Sequence, residues 1–185
     1  MKLDEATWVR LSARHEIENL ITRYCMACDD RKLDELASLF TEDATIEMNG
    51  VPTIEGSVGL FKHFNTTLTK MGATYHWSHD RMINVDENDH NLATGIVQGH
   101  CEMAIDDQTW ITALRYTDTY RRVADEWKFA RRFIEFMYFL PIARLSEALS
   151  SSERVFRNGN WQRADVPDQQ ESYIAFRAAR EPASA

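Results

Sequence analysis

The chain has 185 residues, of which 44% are hydrophobic and 27% are charged, and a net charge of −8 at neutral pH. This composition is typical of a globular protein long enough to bury a core and a pocket. The acidic balance argues against nucleic acid or an anionic membrane surface as the main partner, because both bind clusters of lysine and arginine. The chain has neither an apolar run long enough to cross a membrane nor a signal peptide pattern, so we expect a cytoplasmic protein.

The first predicted helix begins near Asp4 or Glu5 and continues to about Cys28. Apolar residues recur in it at steps of three and four, which places them on one side of an α-helix. These residues are Ile17, Leu20, Ile21, Tyr24, Cys25 and Cys28. Asp29 follows at the edge of this apolar side, where a carboxylate loses hydration and must be protonated, paired or hydrogen-bonded. His76 is the candidate partner, and a capping role or a pair with Arg31 is the alternative.

The next elements are predicted to be a short helix, a hairpin and a third helix. The hairpin is indicated by Asn49-Gly50, two residues that tolerate the positive φ angles of a tight turn. The predicted ranges are Leu33 to Phe40 for the second helix, Ala44 to Met48 and Val51 to Ile54 for the hairpin strands, and Val58 to Met71 for the third helix.

Four long strands are predicted in the second half of the chain, at Tyr75 to Val85, Leu92 to Ile105, Thr109 to Val123 and Glu126 to Phe139. The short links between them predict an antiparallel meander. The element order therefore predicts an α+β domain, in which N-terminal helices pack on one face of a strongly bent, mostly antiparallel sheet and leave a pocket between them.

A domain boundary is predicted near residue 140, so that residues 1–140 form the domain and residues 141–185 form a C-terminal extension. We expect the extension to be partly helical, with a short helix at Ala143 to Leu149, and to dock on its own or a neighbouring subunit. The first four and the last six residues are expected to be frayed or disordered.

Two positions on the predicted strands indicate a site. Alternation along the first long strand places His76 with Ser78, Asp80 and Met82 on one face, and Trp77, His79, Arg81 and Ile83 on the other. One of the two histidines should therefore face the pocket. Arg132 lies on the last strand among apolar residues, where an arginine is either paired with an acid or holds an anion or a carbonyl oxygen.

The three cysteines, Cys25, Cys28 and Cys101, are an odd number and do not indicate a disulfide framework. Cys25 and Cys28 match C-x-x-C but lie late in a helix, whereas redox pairs lie at a helix N-terminus. We interpret them as buried packing residues, with a metal or redox role as the alternative.

The ordered motifs between about residues 10 and 139 resemble the SnoaL-like branch of the NTF2-like superfamily. The matching residues are Ile17, Leu20, Tyr24 and Asp29, then Leu36, Leu39, Phe40, Asp43 and Ala44, then His76, then Tyr116-Thr117-Asp118, Tyr120 and Arg122, and finally Trp127-Lys128-Phe129. The resemblance implies a cone-shaped α+β barrel that forms a homodimer or homotrimer. It also implies kinship with dehydratases and a dehydrochlorinase, which are cofactor-free lyases with a His–Asp pair.

The resemblance assigns roles to four residues. Asp29 and His76 fall on the acid/base pair, Tyr24 on a pocket tyrosine and Arg132 on a pocket arginine. His79, His100 and Phe136 are added as candidate substrate-binding residues that line the pocket.

The expected function is that of a lyase or isomerase, dehydratase-like or polyketide cyclase-like, that acts without metal or cofactor on a hydrophobic, cyclic small molecule such as a steroid, polyketide or aromatic catabolite. The alternative is a non-catalytic subunit similar to the small subunit of ring-hydroxylating dioxygenases.

Overall fold

The computed structural model describes residues 4–157 and 159–180. The predicted fraying of residues 1–4 and disorder of residues 180–185 lie outside the described residues except at Asp4 and Arg180. Both of these are ordered, because Asp4 caps the first helix and the Arg180 Cζ atom lies 3.7 Å from the Phe176 ring centroid. The helices are α1 Glu5–Asp29, α2 Leu33–Ser38, α3 Gly56–Thr69, α4 Leu145–Ala148 and α5 Glu171–Ala178, with a 3-10 turn at Ile142–Arg144. The strands are β1 Phe40–Met48, β2 Val51–Glu55, β3 Met71–Val85, β4 Leu92–Ile105, β5 Gln108–Val123, β6 Glu126–Pro141, β7 Glu153–Arg157 and β8 Asn160–Arg163.

Helix α1 begins and ends close to its predicted limits. The Asp4 carboxylate caps it by accepting a hydrogen bond of 2.7 Å from the Thr7 backbone N–H, which satisfies a free amide of the first turn. The apolar side is buried from Ala13 to Cys28, so this helix covers the core as predicted. Just past the helix, Arg31 adopts a left-handed φ of 58°, which turns the chain towards α2.

The sheet has the strand order β2-β1-β6-β5-β4-β3 and is curved and unclosed. Strands β3 to β6 form the predicted antiparallel meander. Helices α1 and α3 pack on one face, α1 mainly against β3 and α3 mainly against β1. The predicted α+β class with N-terminal helices on a bent sheet is therefore confirmed.

Strand β1 pairs parallel to β6, a connection that the sequence pattern did not predict. The second helix was predicted to reach Phe40, but it ends at Ser38. Phe40 instead opens β1 opposite Phe129 and is buried there. An apolar period of three or four residues cannot tell the end of a helix from the start of the next strand when the helix has fewer than two turns.

A β-bulge in β3 reverses the predicted side-chain orientations in the second half of the strand. The register with β4 shifts between Ser78 and Arg81, where β3 carries one extra residue. Side chains after the bulge therefore point to the face opposite to that predicted by alternation. Ile83 is 4% exposed and Met82 is 59% exposed, so their predicted faces were wrong.

The C-terminal residues continue the sheet. Residues Ile142–Ala148 form short helical turns where one short helix was predicted, and β7 and β8 form a hairpin that was not predicted. Strand β7 pairs parallel to β6 at Phe139 and Val155. Among the described helices, none is both long enough and apolar enough to cross a membrane.

Candidate active site

Asp29 and His76 form a hydrogen-bonded pair between the end of α1 and the middle of β3. The His76 Nδ1 atom lies 2.6 Å from Asp29 Oδ1, and the His76 backbone N–H donates to Asp29 Oδ2 at 2.8 Å. Both side chains are largely buried, with 17% and 20% of their surface exposed. Because an ionised carboxylate only accepts hydrogen bonds, Nδ1 carries a proton, and Nε2 is the ring nitrogen that does not face Asp29.

Two further residues hold the Asp29 carboxylate in place. Thr74 donates its hydroxyl hydrogen to Asp29 Oδ1 at 2.9 Å, and Arg31 Nη1 donates to the Thr74 hydroxyl at 2.7 Å. Arg31 also donates to the backbone carbonyls of Cys28 and Gly72. Arg31 therefore orients the pair through Thr74 and does not form the ion pair with Asp29 that was the alternative.

The Asp29 carboxylate stays ionised in this setting. Burial raises its pKa, but the hydrogen bonds from the His76 ring, the His76 backbone and Thr74 outweigh burial and lower the pKa below its ordinary value. The carboxylate is therefore an acceptor that fixes the His76 tautomer.

His76 lies in the wall of an apolar cavity of about 160 Å³ between the helices and the sheet. Its Nε2 atom makes no hydrogen bond within the described part of the chain, so it is available to a molecule in the cavity. Helices α1 and α3 supply one side of the lining, with Tyr24, Cys28, His63, Phe64, Thr67 and Leu68. The sheet supplies the other side, with Met71, His76, Cys101, Met103, Thr112, Leu114, Tyr116, Ile134, Phe136 and Phe139.

Two predicted residues share this cavity with His76, Tyr24 and Phe136. Tyr24 is 6% exposed and makes edge contacts with several aromatic rings. Burial raises the pKa of its phenol well above the ordinary value, so the group keeps its proton. Tyr24 is therefore a neutral hydrogen-bond donor rather than a base.

Arg132 lies behind the cavity wall, fully buried. Its guanidinium forms a bidentate ion pair with Asp118, with Nε–Oδ1 and Nη2–Oδ2 distances of 2.9 and 2.8 Å. Its Cζ atom lies 4.2 and 4.0 Å from the ring centroids of Tyr24 and Tyr116. Arg132 thus takes the predicted alternative of pairing with an acid, and the two tyrosines lie between it and the cavity.

His79 and His100 are brought together, but on the outer face of the sheet. Their Nε2 and Nδ1 atoms are 2.5 Å apart, and the His100 ring stacks on Trp77 with 4.7 Å between centroids. The arrangement does not support the prediction that they line the pocket. The physical reason is strand alternation, because Cys101 of the same strand points into the cavity and His100 therefore points away.

Sequence reasoning missed Thr112 and Tyr116 of the sheet, and it also missed two polar residues on α3, His63 and Thr67. They are four residues apart and flank the buried Phe64, so they lie on the same side of the helix. The signal was present, because His63 also falls three residues after the apolar Leu60. The pattern alone did not distinguish His63 from a solvent-facing residue of the same helix.

The cysteines are free and buried, as predicted for packing residues. Burial raises the thiol pKa of each, and that of Cys28 reaches about 12. Cys28 and Cys101 line the cavity as neutral, weakly polar groups. Within the described ranges, no group of three or more histidine, cysteine, aspartate or glutamate side chains is arranged to hold a metal ion.

Comparison with known sequences assigns this chain to a family. The sequence model of the SnoaL-like domain matches residues 9–133. The gamma-hexachlorocyclohexane dehydrochlorinase of Sphingobium indicum is 28% identical over 135 residues, which cover 72% of this chain and 86% of that protein. Hexachlorocyclohexane dehydrochlorinase 1 of the same species is 27% identical over 135 residues, covering 72% of this chain and 88% of that protein.

Solved structures show the same fold. The crystal structure of LinA is 26% identical, with a TM-score of 0.68, and the alignment covers 75% of this chain and 95% of that one. A scytalone dehydratase-like protein of Novosphingobium aromaticivorans is 23% identical, with a TM-score of 0.68, over 73% of this chain and 91% of that one, and shows likeness of fold alone. The family match ends at residue 133, so Phe136, Phe139 and the C-terminal extension lie outside it.

Proposed function

Because the chain belongs to the SnoaL-like family of the NTF2-like superfamily, we propose that it is a cofactor-independent lyase of the dehydratase type that acts on a hydrophobic, cyclic small molecule. One observation carries the proposal. The Asp29–His76 pair is hydrogen-bonded at 2.6 Å in the wall of an apolar cavity, with His76 Nε2 free.

In the proposed mechanism, His76 is the general base. Its Nε2 atom takes a proton from a substrate carbon, and the electron pair of that C–H bond forms the new double bond as the leaving group departs from the neighbouring carbon. Asp29 accepts a hydrogen bond from Nδ1 and stabilises the imidazolium that forms. A shell of apolar side chains strengthens this electrostatic support by excluding water.

Tyr24 is proposed to donate a hydrogen bond to the departing group or to a carbonyl oxygen. Its raised pKa makes the phenol a hydrogen-bond donor without full proton transfer. Arg132 is proposed to position Tyr24 through ring contact rather than to touch substrate, since Asp118 already pairs with it. Phe136 is proposed as an apolar contact for the ring of the substrate.

The similar proteins support a lyase. Two similar proteins are named hexachlorocyclohexane dehydrochlorinases. At 28% identity the likeness supports the reaction class, and the leaving group of this chain's substrate is a separate question. A homodimer or homotrimer stays a prediction.

Two probe substrates test the reaction class. Gamma-hexachlorocyclohexane reports elimination through released chloride. The second probe, 3-hydroxycyclohexanone, reports dehydration through the absorbance of the cyclohexenone formed together with one water. We expect wild-type protein to accelerate at least one of them, and His76→Ala and Asp29→Asn to lower the rate by about 10²- to 10⁴-fold, the range for loss of a general base.

Matched controls separate chemistry from folding. His15→Ala and Asp30→Asn change the same residue types at exposed positions of α1 and just after it, and should leave the rate unchanged. Equal rates in wild type, His76→Ala and Asp29→Asn would remove the lyase proposal. Purification of the wild type as a stable complex with a larger iron-sulfur protein would instead favour the assembly role.

A further inference from the structure

The cavity is lined by polar side chains of α3 as well as by the acid/base pair. His63 and Thr67 project from α3 into the cavity that His76 enters from β3. Neither side chain makes a hydrogen bond to another described residue. Two other polar side chains of the lining are already bonded, since Thr112 donates to the Tyr138 carbonyl at 2.7 Å and His76 is bonded to Asp29.

The size of the cavity limits what can occupy it. Its volume of about 160 Å³ is close to that of an engineered apolar cavity of about 150 Å³ that binds benzene. A single six-membered ring therefore fits within it. Such a ring contacts both the sheet side with His76 and the helix side with His63.

His63 has the character of a neutral hydrogen-bonding group. Burial lowers its pKa, and no charged group among the described residues offsets that effect. A neutral imidazole offers one N–H donor and one acceptor nitrogen, and the Thr67 hydroxyl adds a second donor or acceptor. Both residues are partly buried, and a purely apolar ligand that covers them leaves their polar atoms without a hydrogen-bond partner, which is costly.

We propose that His63 and Thr67 form an oxygen-binding subsite, so that the ligand is a six-membered ring carrying a hydroxyl or carbonyl oxygen on the side that faces α3. This inference rests on the proposed function for the identity of the site, and it adds the substrate class and two specificity-determining residues. The subsite holds the ring with one edge towards His76 Nε2 and the oxygen towards α3.

Binding of two matched probes tests the subsite without turnover. Cyclohexanone carries the oxygen, methylenecyclohexane has the same ring with a CH₂ in its place, and neither has a leaving group. Titration calorimetry on the full chain should show that wild-type protein binds cyclohexanone about 2- to 12-fold more tightly, the value of one neutral hydrogen bond. His63→Leu should reduce the ratio of the two affinities to about one while binding methylenecyclohexane as tightly as the wild type does. Thr67→Val should reduce the same ratio partly.

Two controls decide between this subsite and others. His15→Leu, at an exposed position of α1, should keep the wild-type ratio. Tyr24→Phe tests the competing possibility that the oxygen binds the tyrosine. An unchanged ratio in His63→Leu, or loss of the ratio in Tyr24→Phe alone, overturns the proposal. Thermal unfolding of each variant confirms that it is folded before the ratio is interpreted.

A spectroscopic readout gives a second measurement. Cyclohexanone should shift the ¹⁵N resonances of the His63 ring, whereas methylenecyclohexane should not, and no such difference would count against the subsite. The outcomes also separate the two proposals. If the affinity ratio depends on His63 but the wild type catalyses no elimination, the subsite is supported and the lyase proposal is removed. If elimination depends on His76 but the affinity ratio is independent of His63, the lyase proposal is supported and the subsite is removed.

Discussion

At the scale of single residues, the candidate site depends on how one carboxylate is held. Asp29 accepts hydrogen bonds from the His76 ring, the His76 backbone and Thr74. Arg31 then fixes Thr74 from outside the cavity. Each donor favours the ionised carboxylate, so the geometry of the pair and the lowered pKa of Asp29 have the same cause.

Thr74→Val should reveal this coupling through the pH dependence of stability. Asp29 has a lowered pKa in the folded chain, so its contribution is present above the pKa of the unfolded chain and is lost as pH falls through the folded pKa. Removing the Thr74 donor raises the folded pKa and removes part of that contribution. We expect a loss of about 1.5–3 kcal/mol at pH 7, the value of a hydrogen bond to a charged group, and a smaller loss at about pH 3.

Urea denaturation at the two pH values measures this difference. Thr94→Val, at an exposed position of β4, is the control and should cost little at either pH. An equal loss for Thr74→Val at both pH values would show that Thr74 contributes packing only.

At the scale of elements, strands β5 and β6 are joined by a charge pair inside the core. Arg132 and Asp118 are adjacent in register and are both fully buried, and the Tyr120 hydroxyl adds a hydrogen bond of 2.9 Å to the same carboxylate. The ring contacts of Arg132 link this pair to Tyr24 on α1. The pair thus connects the sheet to the helix that carries Asp29.

Asp118→Asn should destabilise the chain by about 3–5 kcal/mol, because it leaves a buried guanidinium without its counter-charge. The matched control is Glu47→Gln, which removes the acid partner of Arg131 in a partly exposed pair. That control should cost less than about 1 kcal/mol. Urea unfolding at pH 7 measures the loss in the free energy of unfolding for both variants. Similar losses would contradict the expectation that the buried pair matters more than the partly exposed one.

The three thiols should be unreactive in the folded chain. All are buried, and burial raises their pKa, in the case of Cys28 to about 12, so the reactive thiolate is scarce. A thiol reagent such as dithionitrobenzoate should label none of them within minutes and all of them in urea. Met26→Cys, at a position of α1 that is 57% exposed, is the control that should react at once. Fast labelling of the native wild-type chain would indicate a reactive cysteine.

At the scale of the whole molecule, the C-terminal extension and the sheet form one hydrogen-bonded unit. Asp165 accepts from the Phe136 backbone N–H at 2.7 Å and from Asn49 at 2.8 Å, which joins the β1–β2 turn to β6. Phe136 lines the cavity, so the extension supports part of the cavity wall. We propose that residues beyond 140 influence the shape of the site without touching the substrate.

Arg154→Ala should release the extension. The buried guanidinium donates to the carbonyls of Met137, Ser151 and Val166 at 2.7, 2.8 and 3.0 Å and pairs with Asp168. Loss of a buried pair costs about 3–5 kcal/mol, enough to raise local opening by about a hundredfold or more. Limited chymotrypsin digestion should then cut near residues 149–161 and leave a folded N-terminal fragment. Arg163→Ala, exposed on β8, should digest like wild type.

The sequence by itself determined the local helices and strands and the two residues of the acid/base pair. Apolar periodicity and the Asn49-Gly50 turn predicted α1, the hairpin and the long strands, because these signals depend on residues close together in the chain. The starts of β1 and β3 were wrong, since both strands begin four residues before their predicted limits. The setting of Asp29 and the alternation around His76 indicated the two residues that the structure joins, and the motifs in order indicated the family.

Only the tertiary structure decided the remaining features. The bulge in β3 reverses the faces to which the Met82 and Ile83 side chains point, and it depends on the register with β4. The Arg132–Asp118 pair, the outward position of His79 and His100, the entry of His63 into the cavity and the β7–β8 hairpin each depend on contacts between distant residues. Local patterns record which side of an element a residue occupies, whereas strand register and packing decide what that side meets.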